Sequence, residues 1–356
     1  MYLKKNSSIL VTGGAGFIGS HTSLELLENG YEVIIFDSLM NSSQDVIERI
    51  KRIVSIKNKL FPNKLTFVKG DVRDENILNK VFENASLINK PIGGVIHFAG
   101  LKSIENSYEN TIDYWDVNLA GTMSLLKVMN NKKCKIFIFS SSASIYSTQN
   151  ISPIKEDDYI YPISNYGQSK AGVEKILESL SNENGSDWSI ASLRYFNPAG
   201  AHPSSFLGEG PTVYSRNLFP IINQVAIGQL EELKIYGNDW NTYDGTCVRD
   251  YIHVVDVANG HLKALEFLQN NKTPFLTLNI GTGKGNSVLE IVNLFQEENK
   301  VKIKYSFKKR RKGDCDILFA DNSKASLILN WEPKLSIQQM CKDSWNWQKK
   351  VINGYL

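Results

Sequence analysis

The chain has 356 residues, 42% of them hydrophobic and 22% charged, and its 40 Lys plus Arg against 37 Asp plus Glu leave a net charge of +3. This balance supports a buried core, excludes a disordered or fibrous chain, and, with no basic arm or tail, leaves nucleic acid a poor partner. No run approaches the roughly 18 continuous apolar residues of a membrane helix, and no apolar segment precedes the first glycines, so a soluble cytoplasmic protein with no membrane partner is expected.

Short β-branched runs alternate with longer segments of helical period over the first half. Strands are predicted at residues 9–12, 33–37, 65–69, 95–98, 136–140 and 190–194, and helices at 17–29, 113–130 and 166–184. The pattern predicts an α/β fold, a doubly wound parallel-sheet domain over residues 1–195. A Gly-, Pro- and Ser-rich loop follows Asn197-Pro198 and runs through Pro211. Residues 196–356 then read as a smaller α/β domain, with some segments interleaved with the first. In such sheets ligands lie beyond the C-terminal strand ends.

The first strand runs into Gly13-Gly14-Ala15-Gly16-Phe17-Ile18-Gly19, with Gly13, Gly16 and Gly19 at intervals of three. Glycine permits the tight turn and close backbone approach to a pyrophosphate, while the opening helix aims its amides and positive dipole end at the anion. The second strand ends in Asp37, 24 residues after Gly13, where an acid can take ribose hydroxyls. An acid there repels a 2'-phosphate, which favours NAD over NADP. Gly70-Asp71-Val72 and Phe98-Ala99-Gly100, each after a strand, fit walls of the same site, although turn chemistry explains either one alone. A second cluster, Gly281 to Gly285, is followed by Ser287 and Glu290, an S-x-x-E capping box, and reads as structural.

The fifth strand ends in a serine run, Ser140-Ser141-Ser142-Ala143-Ser144, and Tyr166 follows Ser142 by 24 residues, with Lys170 four further on. Tyr and Lys at this spacing share one helix face. An ammonium and a positive nicotinamide ring both favour the phenolate, so Tyr166 can exchange a proton with a substrate alcohol while Ser142 bonds the same oxygen. Tyr305 and Lys309 repeat the spacing without a phosphate loop behind them, so context carries the assignment.

These motifs, with TGGAGFIGSHT (12–22), HFAGLKS (97–103), FSSSASIY (139–146), YGQSK (166–170), LRYFNPAGAHPS (193–204), GNDWNTYDGTCVRDYIHVVD (237–256) and RRKGD (310–314), resemble the extended short-chain dehydrogenase/reductase superfamily. Within it they resemble the UDP-glucose 4-epimerase family, nearly end to end. The resemblance implies a tightly held NAD, transient oxidation at sugar C4 through a 4-keto intermediate, interconversion of UDP-glucose and UDP-galactose, and a homodimer. It implies catalytic roles for Ser142, Tyr166 and Lys170. Besides the glycine loop and Asp37, it places Asn41, Ser42, Asp71, Val72, Phe98, Ala99, Gly100, Lys102, Asn118 and Tyr195 around NAD. For the UDP-sugar it implies Asn197, Asn217, Lys234, Ile235, Tyr236, Arg249, Arg311, Asp314 and Leu318, with Arg249 and Arg311 clamping the diphosphate and Asp314 near the uridine ribose.

Arg249 lies in an apolar strand-like segment, where burial without an anionic partner would be costly. Lys308 and Lys309 read as a solvated face of the basic run 308–312, and Arg311 as a phosphate fork. Tyr146-Ser147 replaces the family's common Tyr-Gly. Leu318 stands where a tyrosine restricts the sugar pocket of relatives, which leaves UDP-GlcNAc and UDP-GalNAc open as substrates. A 4,6-dehydratase or decarboxylase would need acids where Ala143-Ser144 follow Ser142, and a non-catalytic NAD sensor would dispense with Tyr166 or Lys170. His21, His97, His202, His253 and His261 show no metal-ligand spacing, and Cys134, Cys247, Cys315 and Cys341 form no CxxC pair, so no metal and reduced thiols are expected.

Overall fold

The computed structural model describes residues 7–57, 61–210, 217–311 and 313–352. Residues 1–6 at the start, Pro211 at the end of the predicted loop and Lys312 in the basic run lie outside them. Two units are resolved by their contacts, one made of Met1–Ile145, Pro162–Arg194 and Ala258–Leu278, the other of Tyr146–Tyr161, Tyr195–Val257 and Asn279–Leu356.

In the first unit the elements run β1 (Ser8–Thr12), α1 (Phe17–Glu28), β2 (Glu32–Asp37), α2 (Asp45–Lys57), β3 (Leu65–Lys69), α3 (Glu75–Leu87) and β4 (Ile92–His97). They continue through α4 (Ile104–Glu109), α5 (Thr111–Tyr114), a π-helical turn (Trp115–Ala120), α6 (Gly121–Asn131), β5 (Ile136–Ser142), α7 (Asn165–Ser181) and β6 (Ser189–Tyr195). The predicted strands all form, β3 with its predicted bounds. The predicted helix over 113–130 is instead three pieces, because its middle winds as a π-helix that no hydrophobic period announces.

The sheet has seven strands in the order β11-β6-β5-β4-β1-β2-β3, with β11 at Phe275–Ile280. β1 pairs in parallel with both β2 and β4. Ile9, Leu10, Val11, Ile35 and Phe36 are fully buried, as strands covered on both faces require. One core cluster gathers Leu10 and Phe36 with Leu78 and Phe82 of α3, Leu125 and Met129 of α6, and Val173 and Leu177 of α7.

The second unit is built from β7 (Asn197–Ala199), α8 (Leu218–Ala226), β8 (Leu233–Tyr236), β9 (Val248–Arg249), β10 (Tyr251–His253), β12 (Asn286–Ser287), α9 (Val288–Asn299), β13 (Tyr305–Lys308), β14 (Ile317–Leu318), α10 (Ser323–Leu329) and α11 (Ile337–Ile352). Its strands form three small sheets, β10-β7, β12-β9-β14 and β13-β8. Its core joins Phe219 and Ile222 of α8, Leu233 and Ile235 of β8, Ile291 and Phe295 of α9, and Met340 and Cys341 of α11. Among the described residues no helix is long and apolar enough to cross a membrane, and no group of three or more His, Cys, Asp or Glu could hold a metal.

Candidate active site

In the first unit the predicted residues gather where β1, β2, β4 and β5 end. Gly13 has a φ of +66°, and a Cβ there would sit 2.6 Å from the Ala99 amide nitrogen, so the β1 turn and the segment after β4 touch through bare backbone. A Cβ at Gly19 would lie inside van der Waals contact of the Gly13 carbonyl, which fixes glycine at the opening of α1. Gly16 is the N-cap of α1, and no side chain caps the helix's first amides. Asp37, 6% exposed, accepts from the Ala15 and Leu39 amides at 3.0 and 2.8 Å and from Ser42 Oγ at 3.0 Å. Asn41 and Lys102 are exposed. Asp71 pairs with Arg73 at 2.6 Å, and the Arg73 hydrogen bonds hold its carboxyl below the usual range. Val72 is buried, and the Phe98 ring packs 4.7 Å from the His261 ring.

Tyr166, Lys170 and Ser142 are brought together. Ser164 caps α7 by accepting from the Gly167 amide at 3.0 Å, and a Cβ at Gly167 would strike the Ser144 carbonyl, so the first turn of α7 rests on the serine run. Ser142 neighbours the Tyr166 phenol and favours its ionised form, while Ser142 Oγ donates to Ser144 Oγ and takes the Ser144 amide, each at 3.1 Å. Lys170, 5% exposed, donates to the Ser140 carbonyl at 2.7 Å, and its Nζ lies 5.9 Å from the centre of the Tyr166 ring. Burial dominates both groups: it pushes the Tyr166 phenol up to about 12, against the opposing pull of Ser142, and brings the Lys170 ammonium down to about 8, against Glu174. The phenol is therefore held protonated, because desolvation of the anion outweighs the pull of Ser142 and Tyr114 adds to the rise. A protonated Lys170 and a bound cationic ring would each pull it toward the phenolate.

Asn118, in the π-helical turn, is 3% exposed. Its Oδ1 accepts from the Leu101 amide at 2.7 Å, and its Nδ2 donates to the Leu101 carbonyl at 3.1 Å and to Ser169 Oγ at 2.9 Å. It thus ties the turn after Gly100 to the helix of Tyr166 and Lys170.

In the second unit, Asn197 pairs with Tyr251 across β7 and β10, and Tyr195 is buried. Asn217 donates to Glu209 Oε1 at 3.0 Å. Lys234, Ile235 and Tyr236 lie on β8, and the Arg311 guanidinium stacks 3.8 Å over the Tyr236 ring, so these two predicted contacts meet. Arg249 already has partners: Nη1 donates to the Val248 carbonyl at 2.8 Å, and Nη2 to the Cys315 carbonyl at 2.9 Å and to Asp314 Oδ1 at 3.5 Å. Its burial therefore does not by itself call for a diphosphate, because the chain supplies carbonyls and a carboxylate. Leu318 stands opposite Arg249 in the β14–β9 pairing.

The model of the GDP-mannose 4,6 dehydratase family matches residues 10–344. The UDP-glucose 4-epimerase of Bacillus subtilis is 46% identical over 348 residues, covering 98% of each chain. The chain belongs to the UDP-glucose 4-epimerase family. The family's Dictyostelium discoideum member is 44% identical over 347 residues, covering 98% of this chain and 97% of that one. Among solved structures, the UDP-glucose 4-epimerase of Bifidobacterium longum in complex with NAD+ and UDP superposes with a TM-score of 0.89 at 43% identity, covering 98% of this chain and 100% of that one. The family's Stenotrophomonas maltophila structure, with bound NAD and formylated UDP-arabinopyranose, gives 0.91 at 41% identity, covering 98% and 99%.

The α1 turn of this epimerase-family chain fits a dinucleotide: a cradle that a Cβ would fill, an uncapped helix start, and a buried carboxylate beside it. The second glycine cluster does not. Its Thr282 and Gly283 amides bind the buried Asp250 carboxylate at 2.8 and 3.1 Å, Ala320 N adds another bond at 3.1 Å, and Ser287 with Glu290 closes a capping box on α9. That nest is filled by the chain's own anion.

Sequence reasoning missed residues around the site. His97 takes Thr12 Oγ1 at 2.6 Å and Thr122 Oγ1 at 2.9 Å. Thr122 spends its proton on the Asn118 carbonyl at 2.5 Å, so His97 Nε2 donates to Thr122 and Nδ1 accepts from Thr12. Glu174, on α7, meets Arg194 of β6 at 2.6 Å in a pair that is 7% and 4% exposed. Only the four-residue step from Lys170 to Glu174 hinted at this pair.

Proposed function

We propose that this protein is a UDP-glucose 4-epimerase, an isomerase that interconverts UDP-galactose and UDP-glucose with NAD. The observation that carries the reading is the Tyr166 phenol beside Ser142, with the Lys170 ammonium on the same helix face, in the unit that also holds the glycine cradle. NAD supplies a two-electron acceptor that takes the C4 hydrogen of the hexose and later returns it. Tyr166, as phenolate, accepts the C4 hydroxyl proton while Ser142 bonds the same oxygen, giving a 4-keto hexose. After the sugar has turned its other face, Tyr166 gives the proton back to O4. Lys170 favours the phenolate and meets the nicotinamide ribose. The glycine loop with Phe17 and Ile18 holds the pyrophosphate, Asp37 and Ser42 the adenosine ribose, and Asn41, Asp71, Val72, Phe98, Ala99, Gly100, Lys102, Asn118 and Tyr195 complete that site.

Asn197, Asn217, Lys234, Ile235, Tyr236, Arg249, Arg311, Asp314 and Leu318 serve the UDP-sugar. The stack of Arg311 on Tyr236 supports this by fixing one guanidinium edge for a phosphate. Ala143-Ser144 put no acid after Ser142, so elimination of the dehydratase kind is not favoured. Leucine at 318 admits N-acetylated UDP-sugars as further substrates. A cytoplasmic homodimer belongs to the same reading, and its mass in solution tests it; exposed Ile104, Tyr108 and Ile112 support an apolar contact face. The decisive assay incubates the purified protein with UDP-galactose, without added NAD, and follows UDP-glucose by NMR. Tyr166→Phe should cut turnover about 10²- to 10⁴-fold with the fold intact; a folded variant of full activity would overturn the role of Tyr166.

A further inference from the structure

Tyr166, Lys170 and Glu174 fall on one face of α7 at four-residue steps. Lys170 has a carbonyl, that of Ser140, as its close partner rather than an acid. The acid one turn further on is held elsewhere. Glu174 accepts from Arg194 Nε at 3.0 Å and Nη2 at 2.6 Å in a two-point fork, and from Ser192 Oγ at 2.7 Å. Glu174 and Arg194 sit among apolar neighbours, with Val173 and Leu177 of α7 and Ile190 of β6 in the surrounding core. A buried ion pair in such a place gains little over an apolar pair of similar volume.

We propose that Glu174 and Arg194 are positioning residues for Lys170: the Arg194 fork claims the Glu174 carboxylate, so the acid balances the Lys170 charge without capturing its ammonium. Lys170, Glu174 and Arg194 together then carry one net positive charge, and the ammonium stays on the Ser140 carbonyl, facing Tyr166. The inference rests on the proposed epimerase chemistry, in which a protonated Lys170 favours the Tyr166 phenolate. Among the described residues, the charged and titratable groups facing Lys170 are Tyr166 and Glu174 on its own helix and His97 on β4. Among the same residues, Glu174 faces Lys170 and, from β6, Arg194.

The two halves of the pair act on Lys170 with opposite sign, which a merely structural role does not predict. Glu174→Gln leaves Arg194 as an unbalanced cation, so Lys170 gives up its proton more readily. Arg194→Gln frees the carboxylate toward Lys170, so the proton is held more tightly. The experiment measures the alkaline limb of kcat/KM for UDP-galactose epimerisation by the holoenzyme. Relative to wild type, the limb should fall by about one pH unit in Glu174→Gln and rise by about one in Arg194→Gln. Ser192→Ala removes one neutral donor from the carboxylate, keeps both charges and the fold, and should move the limb upward by a smaller step. Limbs that move in the same direction in the two charge variants, or stay fixed in every folded variant including Ser192→Ala, would overturn the assignment. A wild-type protein without epimerase activity would instead sink the underlying reading.

Discussion

Replacing Lys170 by Met keeps the buried stem of the side chain and removes its charge. Nζ lies 5.9 Å from the Tyr166 ring centre. At an effective dielectric constant of about 20, a unit charge at that distance favours a phenolate by about 3 kcal/mol, or about two pH units. The phenol, which burial pushes up to about 12, then depends on bound cofactor alone to be ionised. The acidic limb of kcat/KM should therefore move up by about two pH units in Lys170→Met, and the rate at pH 7 should drop about a hundredfold. Wild-type activity should also decline as pH rises past about 8, where Lys170 loses its proton, and the variant should lack this decline. Coupled assays from pH 5 to 10 with enzyme of known NAD content would measure both limbs. A variant whose rate falls while its acidic limb stays in place would refute the electrostatic role and leave Lys170 as a cofactor contact only.

Gly19→Ala sets a methyl against the Gly13 carbonyl and 2.9 Å from Gly14 Cα, both backbone, at a cost of about 1–3 kcal/mol. The melting temperature should fall and the rise on adding NAD should vanish; an undiminished rise would show that the loop is not the cradle. His97 is held neutral, its pKa pushed down to about 3 by burial and by Lys170, whereas an unfolded imidazole titrates near 6.5. The unfolded chain thus binds more protons below about 6.5, and stability falls as pH drops from there toward 3. His97→Gln should shrink the loss of stability between pH 7 and 5, read by urea unfolding, by about 2 kcal/mol; an unchanged pH dependence would mean the ring is charged in the fold. Leu318→Tyr should lower turnover of UDP-GlcNAc and UDP-GalNAc about tenfold or more while sparing UDP-galactose; an unchanged ratio of the two activities would remove the gatekeeper role.

The parallel sheet was readable because strands covered on both faces are written as unbroken apolar runs, such as Ile9-Leu10-Val11 and Val33-Ile34-Ile35-Phe36. Tyr166 and Lys170 were readable because one helix carries both, and the glycine loop because its spacing is a backbone requirement. The Glu174–Arg194 pair was not, since its partners lie 20 residues apart on a helix and a strand, and only the docking of α7 on β6 joins them. The Val248 and Cys315 carbonyls that hold Arg249 were not readable either, because carbonyl partners leave no mark in sequence. For the same reason the anion held by the second glycine cluster could be named as Asp250 only from the three-dimensional arrangement.

The wide turn at Trp115–Ala120 sets a length rule on the chain. An α-helix rotates by about 100° per residue, so shortening this stretch by a single position would force a choice. Either Leu125 and Met129 would leave the packed interior, or Asn118 would swing off the Leu101 backbone. A one-codon deletion would therefore uncouple the turn after Gly100 from the helix that packs Leu125 and Met129.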